Sequence, residues 1–312
     1  MTPKWRTGLT RLLPIVVSVG VLVWLLRGVD LLAVATAVNA RVAVVMIPAL
    51  VAFCAVTLWI EAISIHRLVA RPPPSFGLWT AARIKCASYL PGLVHYTLGV
   101  GGLAVLLRRR TGLSLGEALG LVLLISSADL VVALAAATSS TAMLGVGARG
   151  VRTGLVAVAI VAFFGGLALL RSPAPLGALE RVRALSIFEG LRRMPRSRLA
   201  ELFTLRALFS ACFVAGCASA FAAFEIFPPP ARLIGGIMVV ALVAALPIAV
   251  AGLGTSQAAF VYLFSDVAPA ERLLAMSLVL SFGIISLRAA MGLCFARELT
   301  REALHDARIA SA

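Results

Sequence analysis

Two apolar stretches of this chain are broken by proline and glycine, and these breaks constrain the fold more than any other feature. The first reads Leu90-Pro91-Gly92, then Gly99-Val100-Gly101-Gly102. The second reads Leu246-Pro247, then Gly252-Leu253-Gly254-Thr255-Ser256-Gln257. Each precedes a helical pattern with a glutamate in its first turn, Glu117 and Glu271. Proline and glycine free backbone groups that hydrocarbon cannot satisfy, so such breaks belong against protein or beside a wet cavity. Paired interruptions in two halves of a chain are the sequence mark of a transporter site.

The surrounding sequence sets the class. Of 312 residues, 61% are hydrophobic and 13% charged, where a soluble domain is about half apolar and a quarter charged. The apolar runs approach the roughly 20 residues that cross the hydrocarbon as helix, and they lack the alternation of barrel strands. The reading is an all-α polytopic membrane protein. About six full spans are expected, at 12–27, 42–60, 117–138, 153–170, 207–226 and 273–295, with the broken segments 86–107 and 231–265 in addition. Residues 1–312 form one membrane domain with no separate soluble enzyme. Lys4, Arg6 and Arg11 precede an apolar run that reads as a retained span rather than a cleaved signal. Arg27 and Asp30 intervene before the candidate cleavage site Ala35-Thr36-Ala37.

Charge placement decides how the first broken segment runs. If 86–107 enters and leaves on one side, 21 of the 28 Lys and Arg lie on one face, six on the other and Arg288 within the membrane. If it crosses once, the division becomes 11 against 16. The excess of basic residues on the cytoplasmic side selects the same-side model, with both termini cytoplasmic. Twenty-two residues are too few for two crossings, so 86–107 is predicted to be a re-entrant hairpin turning at Pro91-Gly92 or the Gly99–Gly102 cluster. Segment 231–265 then starts and ends on the opposite face as a second, opposed hairpin. Spacings in the two halves, about 1–140 and 150–300, agree: Gly101 to Glu117 is 16 residues and Gly254 to Glu271 is 17. Pro91 to Glu117 is 26 and Pro247 to Glu271 is 24. An inverted repeat is expected. Ser114 and Glu117 have capping-box spacing, and Pro269 suits the first turn of the last helix. The basic connection 171–206 is either an amphipathic helix on the inner leaflet or a solvated loop enforcing topology.

Candidate binding residues follow from the breaks and the intramembrane charges. Asp129 and Arg288 fall mid-span, where an ionised group must face the bundle interior; they either pair structurally or meet substrate. Thr255, Ser256 and Gln257 follow the second glycine break, where helix N-terminal amides either bind an anion or are capped locally. His95 and Tyr96 lie within the first hairpin and either contact a headgroup or cap freed backbone. Arg83 and Lys85, beside Trp79 and Tyr89, either gather phosphate or anchor at the interface. With Pro91, Gly92, Gly101, Gly102, Pro247, Gly252 and Gly254, these make up the candidate substrate site.

Other chemistries lack support. The five cysteines are scattered and the three histidines lack ligand spacing, so no metal or cofactor is expected. Gly145-Val146-Gly147-Ala148-Arg149-Gly150 matches GxGxxG but follows a membrane helix rather than a strand. No Walker, zincin or nucleophile-elbow pattern occurs, so no catalytic residue is assigned. The net charge of +15 is read as arginines facing anionic inner-leaflet lipid rather than nucleic acid.

These residues also carry a resemblance. The Leu90-Pro91-Gly92 turn with its glycine cluster, Thr111-Gly112-Leu113-Ser114 leading into a span with Asp129, and Leu246-Pro247 through Gly254 followed by Gln257 and Arg288 resemble the lysylphosphatidylglycerol synthase transmembrane region family. Its members are the flippase-like membrane domains also found in bacterial aminoacyl-phospholipid synthases. The resemblance covers nearly the whole chain. Where family members often carry an acidic residue and an arginine after the first glycine cluster, this chain has Leu103 and Ala104. Where they often carry a Glu-Arg pair before the aspartate, it has Ile125-Ser126-Ser127, and Gln257 stands where a glutamate is common. The resemblance implies a lipid flippase or lipid-linked transporter of the bacterial inner membrane, acting on a phospholipid or a polyprenyl-phosphate-linked lipid in a cavity between the hairpins. The alternative is a non-transporting scaffold for an envelope-lipid or glycan-synthesis enzyme. An integral-membrane transferase would need a paired acid/base or metal site.

Overall fold

The structure, a computed structural model, describes residues 39–69, 72–143, 161, 163–171, 180, 184–245 and 254–310. Among them the regular structure is entirely helical: α1 (Ala40–Leu68), α2 (Leu78–Val94), α3 (Tyr96–Thr111), α4 (Leu115–Met143), α5 (Glu189–Arg193), α6 (Arg196–Ala223), α7 (Pro230–Ala245), α8 (Thr255–Phe264) and α9 (Ala270–Ala310). Helices α1, α4, α6 and α9 contain apolar stretches long enough to cross a membrane. The 29 residues of α1 reach about 43 Å at 1.5 Å per residue, against a hydrocarbon core of about 30 Å. Their outer faces are as apolar as their inner ones: Val44, Ile47, Val51 and Val56 project outward from α1. That surface suits lipid rather than water. The expected span 12–27 lies outside the described residues; of 153–170, the helical part 163–171 is described.

The ends of these helices follow local rules. Asn39 caps α1, its Oδ1 accepting the Val42 N–H at 3.1 Å. The predicted capping box closes on α4. Glu117 Oε2 accepts the Ser114 N–H at 2.9 Å, and Ser114 Oγ accepts the Glu117 N–H at 3.2 Å. Pro269 sits just before α9, its carbonyl accepting from Arg272 and Leu273. Helix α6 begins at Arg196, eleven residues before the span expected at 207, so Arg206 lies within it. Arg206 is fully enclosed and donates to Ser64 Oγ (2.5 Å) and the Ile60 carbonyl (3.4 Å) on α1, with its guanidinium carbon 5.2 Å from the Phe209 ring centroid.

The first broken segment is a pair of helices, α2 and α3, packed side by side. Its turn falls at His95, not at the proline or the glycines. His95 takes an extended conformation (φ −159°, ψ 136°), closes α2 with its N–H on the Pro91 carbonyl, and opens α3 with Nδ1 accepting the Thr97 N–H at 3.2 Å. Pro91 stays within the last turn of α2. The glycines serve approach rather than turning. A Cβ on Gly99 would come within 2.8 Å of the Gly92 Cα, and one on Gly102 within 3.1 Å of Pro91 Cγ. Nothing crowds Gly101. At the far end Gly112 adopts φ +72° and closes α3.

The second broken segment places α7 beside α8. Its two ends are tied together: Arg232 near the start of α7 donates to the Leu263 carbonyl at 2.9 and 3.3 Å and pairs with Asp266. A Cβ on Gly236 would meet the Phe264 ring at 2.5 Å. Phe221 of α6 packs on Phe264 (centroids 4.8 Å). Gly254, at φ +90°, starts α8 in a conformation that favours glycine. Pro247 and Gly252 lie outside the described residues.

Of the connection 171–206, read as an amphipathic helix or a solvated loop, residues 172–179 and 181–183 lie outside the described residues. A single 3₁₀ turn at Ser186–Phe188 leads into α5, and this segment lies with its backbone against Gly116 and Gly120 of α4. A Cβ on either would collide with Ser186 or with the Ile187 carbonyl. Arg171 fastens it, donating to the carbonyls of Leu191 (2.9 and 3.2 Å) and Met194 (2.7 Å).

Two compact units emerge. One comprises Met1–Phe53, Asp129–Phe163 and Ser210–Ile284; the other comprises Cys54–Ala128, Phe164–Phe209 and Ile285–Ala312. The second hairpin belongs to the former and the first hairpin to the latter. In the hairpin, Gly99→Ala is expected to cost about 1–3 kcal/mol through overpacking against Gly92. The uncrowded Gly101→Ala should be neutral or stabilising by up to about 1 kcal/mol from helix propensity. Thermal unfolding of the two variants in detergent micelles checks the contrast.

Candidate functional site

The described site lies in the unit that contains the first hairpin. It is assembled from α1, α2 and α9. Glu61 on α1 is held by two donors from α2. Lys85 Nζ lies 2.7 Å from Oε1, and the Tyr89 hydroxyl donates to Oε2 at 2.6 Å. Lys85 and Tyr89 are four residues apart, one above the other on the same helical face. The Lys85 and Glu61 side chains are 19% and 12% exposed. Arg288 on α9 spreads over the Tyr89 ring, its guanidinium carbon 5.1 Å from the centroid. Lys85 Nζ lies 5.4 Å from the same centroid. The phenol thus has its hydroxyl on the carboxylate and both cations near its ring.

Small-residue packing makes this arrangement possible. One turn beyond Arg288, a Cβ on Gly292 would meet Leu90 Cγ at 2.8 Å and the Cys86 carbonyl at 3.1 Å. Only glycine lets α9 sit this close to α2. At the outer end, Trp79 rests on Phe295 (5.8 Å) and Trp59 (6.2 Å). Each of the three charges lies seven residues from an end of its helix or of its apolar part. Glu61 is seven residues from the end of α1, Lys85 seven from the start of α2, and Arg288 seven from Phe295, where the apolar part of α9 ends. Seven residues are about 10 Å of helix.

The partners of the charges differ. Glu61 has both oxygens occupied by charge-assisted bonds. Arg288 packs its guanidinium on the Tyr89 ring and is also within electrostatic reach of the Glu61 carboxylate. A cation–π contact supplies about 0.5–2 kcal/mol, while a charged side chain at mid-membrane costs about 2.5–3.5 kcal/mol on insertion scales. Among the described residues, the cluster of Glu61, Lys85 and Arg288 carries two cations and one anion.

The other predicted residues distribute as follows. Arg83 is half-buried and, two residues from Lys85, lies about 200° around α2 on another face. Pro91, Gly92 and Gly102 form the contact between the hairpin arms, and Gly101 faces open space. His95 caps both helices, and Tyr96 donates to Ser126 Oγ of α4 at 2.9 Å. Asp129 is half-buried on α4 and belongs to the other unit, as do Gly254, Thr255, Ser256 and Gln257. Gln257 is fully buried and engaged internally. Its Oε1 accepts the Gly254 N–H (2.6 Å) and the Ser256 hydroxyl (3.1 Å), and its Nε2 donates to Ser281 Oγ (3.1 Å). Local capping of the broken helix accounts for it. Glu61 and Tyr89 are the members that sequence reasoning missed. The signal was present, since Glu61 is the one acid in the run from Val42 to Leu68.

A sequence model described as the lysylphosphatidylglycerol synthase TM region matches residues 11–291. The chain belongs to this family. No curated protein and no solved structure matches it. Membership makes this a lipid-related membrane protein whose surroundings and partners include membrane phospholipids.

The buried ion pair gives a direct test. Lys85→Met leaves Glu61 ionised without its cation, which is expected to cost about 3–5 kcal/mol. The double variant Glu61→Gln/Lys85→Met should recover most of that loss. A double-mutant cycle of apparent melting temperatures in detergent measures the coupling.

Proposed function

We propose that the protein is a lipid flippase or lipid-linked transporter of the bacterial inner membrane, with both termini cytoplasmic, and that it is not an enzyme. The observation that carries this reading is a charged cluster with surplus positive charge on a helical hairpin. Intramembrane ionisable residues mark substrate pathways, and an anionic lipid headgroup is the ligand that a lipid-family membrane protein meets at that depth. The hairpin geometry supports a re-entrant path. Tyr96, at its tip, bonds Ser126, eleven residues into α4 from Leu115. That is about 17 Å along the helix, close to half of a hydrocarbon core of about 30 Å. The adjacent ends of α2 and α3 leave Lys85 and Arg108 to Arg110 on one side, in keeping with the basic cytoplasmic face. A polar headgroup would travel along the hairpin while its acyl chains stay in lipid.

A second reading, a scaffold for an envelope-lipid or glycan-synthesis enzyme, draws on Gln257. The polar group at the second break is spent on capping, which leaves that hairpin with less to offer a substrate.

Leaflet exchange separates the two. Purified protein in liposomes is expected to move a fluorescent phospholipid or polyprenyl-phosphate lipid between leaflets, read by chemical quenching of the outer leaflet. Arg288→Ala should slow exchange about tenfold, the effect of losing roughly 1.4 kcal/mol of headgroup interaction. Folded protein that moves none of these lipids, yet co-purifies with a synthesis enzyme, would select the scaffold.

A further inference from the structure

We propose that His95 is a proton-binding switch at the tip of the first hairpin: neutral, it caps the start of α3; protonated, it turns to the end of α2. The switch stands on the tip geometry alone, and only its consequence for lipid movement rests on the transport reading. His95 is the single residue between the two helices, its backbone extended at φ −159° and ψ 136°. Its Nδ1 accepts the Thr97 N–H at 3.2 Å. A ring nitrogen that accepts carries no proton, so the neutral ring keeps its hydrogen on Nε2. The bond fills one of the donors that a helix start leaves open.

Imidazolium cannot make this bond. Both its nitrogens are donors, and a cation beside a helix start opposes the helix dipole. The other side of the same residue offers the reverse. The last turn of α2 ends there, with the Pro91 carbonyl taking the His95 N–H at 3.1 Å. A helix end favours a cationic donor on its final carbonyls, and such partners are what a charged ring needs in an apolar setting. The close approach of Gly99 to Gly92 holds the arms together just beyond the tip, so the change is confined to the first turn of α3. Tyr96 lies on that turn and is bonded to Ser126 of α4, so the change is passed to α4.

The charged and titratable groups on the neighbouring elements are already engaged or set back. On α2, Tyr89 and Lys85 lie six and ten residues before His95, and both bond Glu61 of α1. Arg288 of α9 lies on the Tyr89 ring. On α4, Asp129 lies one turn beyond Ser126. On the transport reading, proton uptake at His95 becomes a control on the hairpin along which a headgroup travels.

Hydrogen–deuterium exchange of the full chain in detergent micelles tests the switch. It is measured at about pH 5 and about pH 8, which bracket the titration of imidazole, with rates corrected for the intrinsic pH dependence of amide exchange. The amides of residues 97–99 are expected to lose protection about fivefold at the acid pH, in line with loss of an N-cap. His95→Asn caps without titrating and should keep the same protection at both pH values. His95→Ser has the same capping chemistry and carries the test if the asparagine variant does not fold. Protection at 97–99 that is equal at the two pH values in wild type, or that falls as far in His95→Asn, overturns the proposal. Leaflet exchange in liposomes is read in parallel. Folded protein that shows the switch but moves no lipid keeps the His95 assignment and loses the transport reading; lipid movement with no change at 97–99 does the reverse.

Discussion

The carboxylate of Glu61 is the interaction on which the described site depends. It accepts from Lys85 and Tyr89 at once, and so fixes which face of α2 looks toward α1. That fixed face presents the Tyr89 ring to α9, where Arg288 covers it. Gly292 completes the chain of dependence, since a side chain there would push α9 off Leu90 and Cys86 and lift Arg288 from the ring. Ion pair, phenol, guanidinium and glycine form one assembly. An ion pair in an apolar setting adds little net stability by itself, so its presence here argues for organisation more than for strength.

The two broken segments use the same devices for different ends. Both hold their arms close with glycine, at Gly92 and Gly99 in one and at Gly236 in the other. Both anchor their polar ends with hydrogen bonds to freed backbone: His95 serves the first, while Gln257 and Arg232 serve the second. They diverge in charge. The first carries Lys85 and meets Glu61 and Arg288. The second spends Gln257 within its own turn and on Ser281.

Much of this was legible in the sequence, for stated physical reasons. Membrane helices announce themselves by apolar length, and the breaks in 86–107 announced an interrupted segment, which the structure resolves into α2 and α3 side by side. The Ser114–Glu117 cap was readable because its chemistry is local. The turn at His95 was not, because an extended residue between two helices has no composition of its own, while the conspicuous proline and glycines were needed for arm-to-arm contact. Glu61 was hidden by helix length. A span drawn to residue 60 stops one residue short of it, whereas α1 continues to Leu68. The docking of 184–195 onto Gly116 and Gly120 was invisible too, since glycines four apart in α4 look like a helix–helix seam until the backbone of a connecting segment is seen against them.

Arg206 has a mechanical consequence. Its guanidinium is locked to Ser64 and the Ile60 carbonyl with no exposure. Sliding α6 past α1 by one turn, about 5.4 Å, would strip a buried cation of these partners. Around this point the two helices are latched as a strut, and any rearrangement there must carry them together and find its compliance elsewhere.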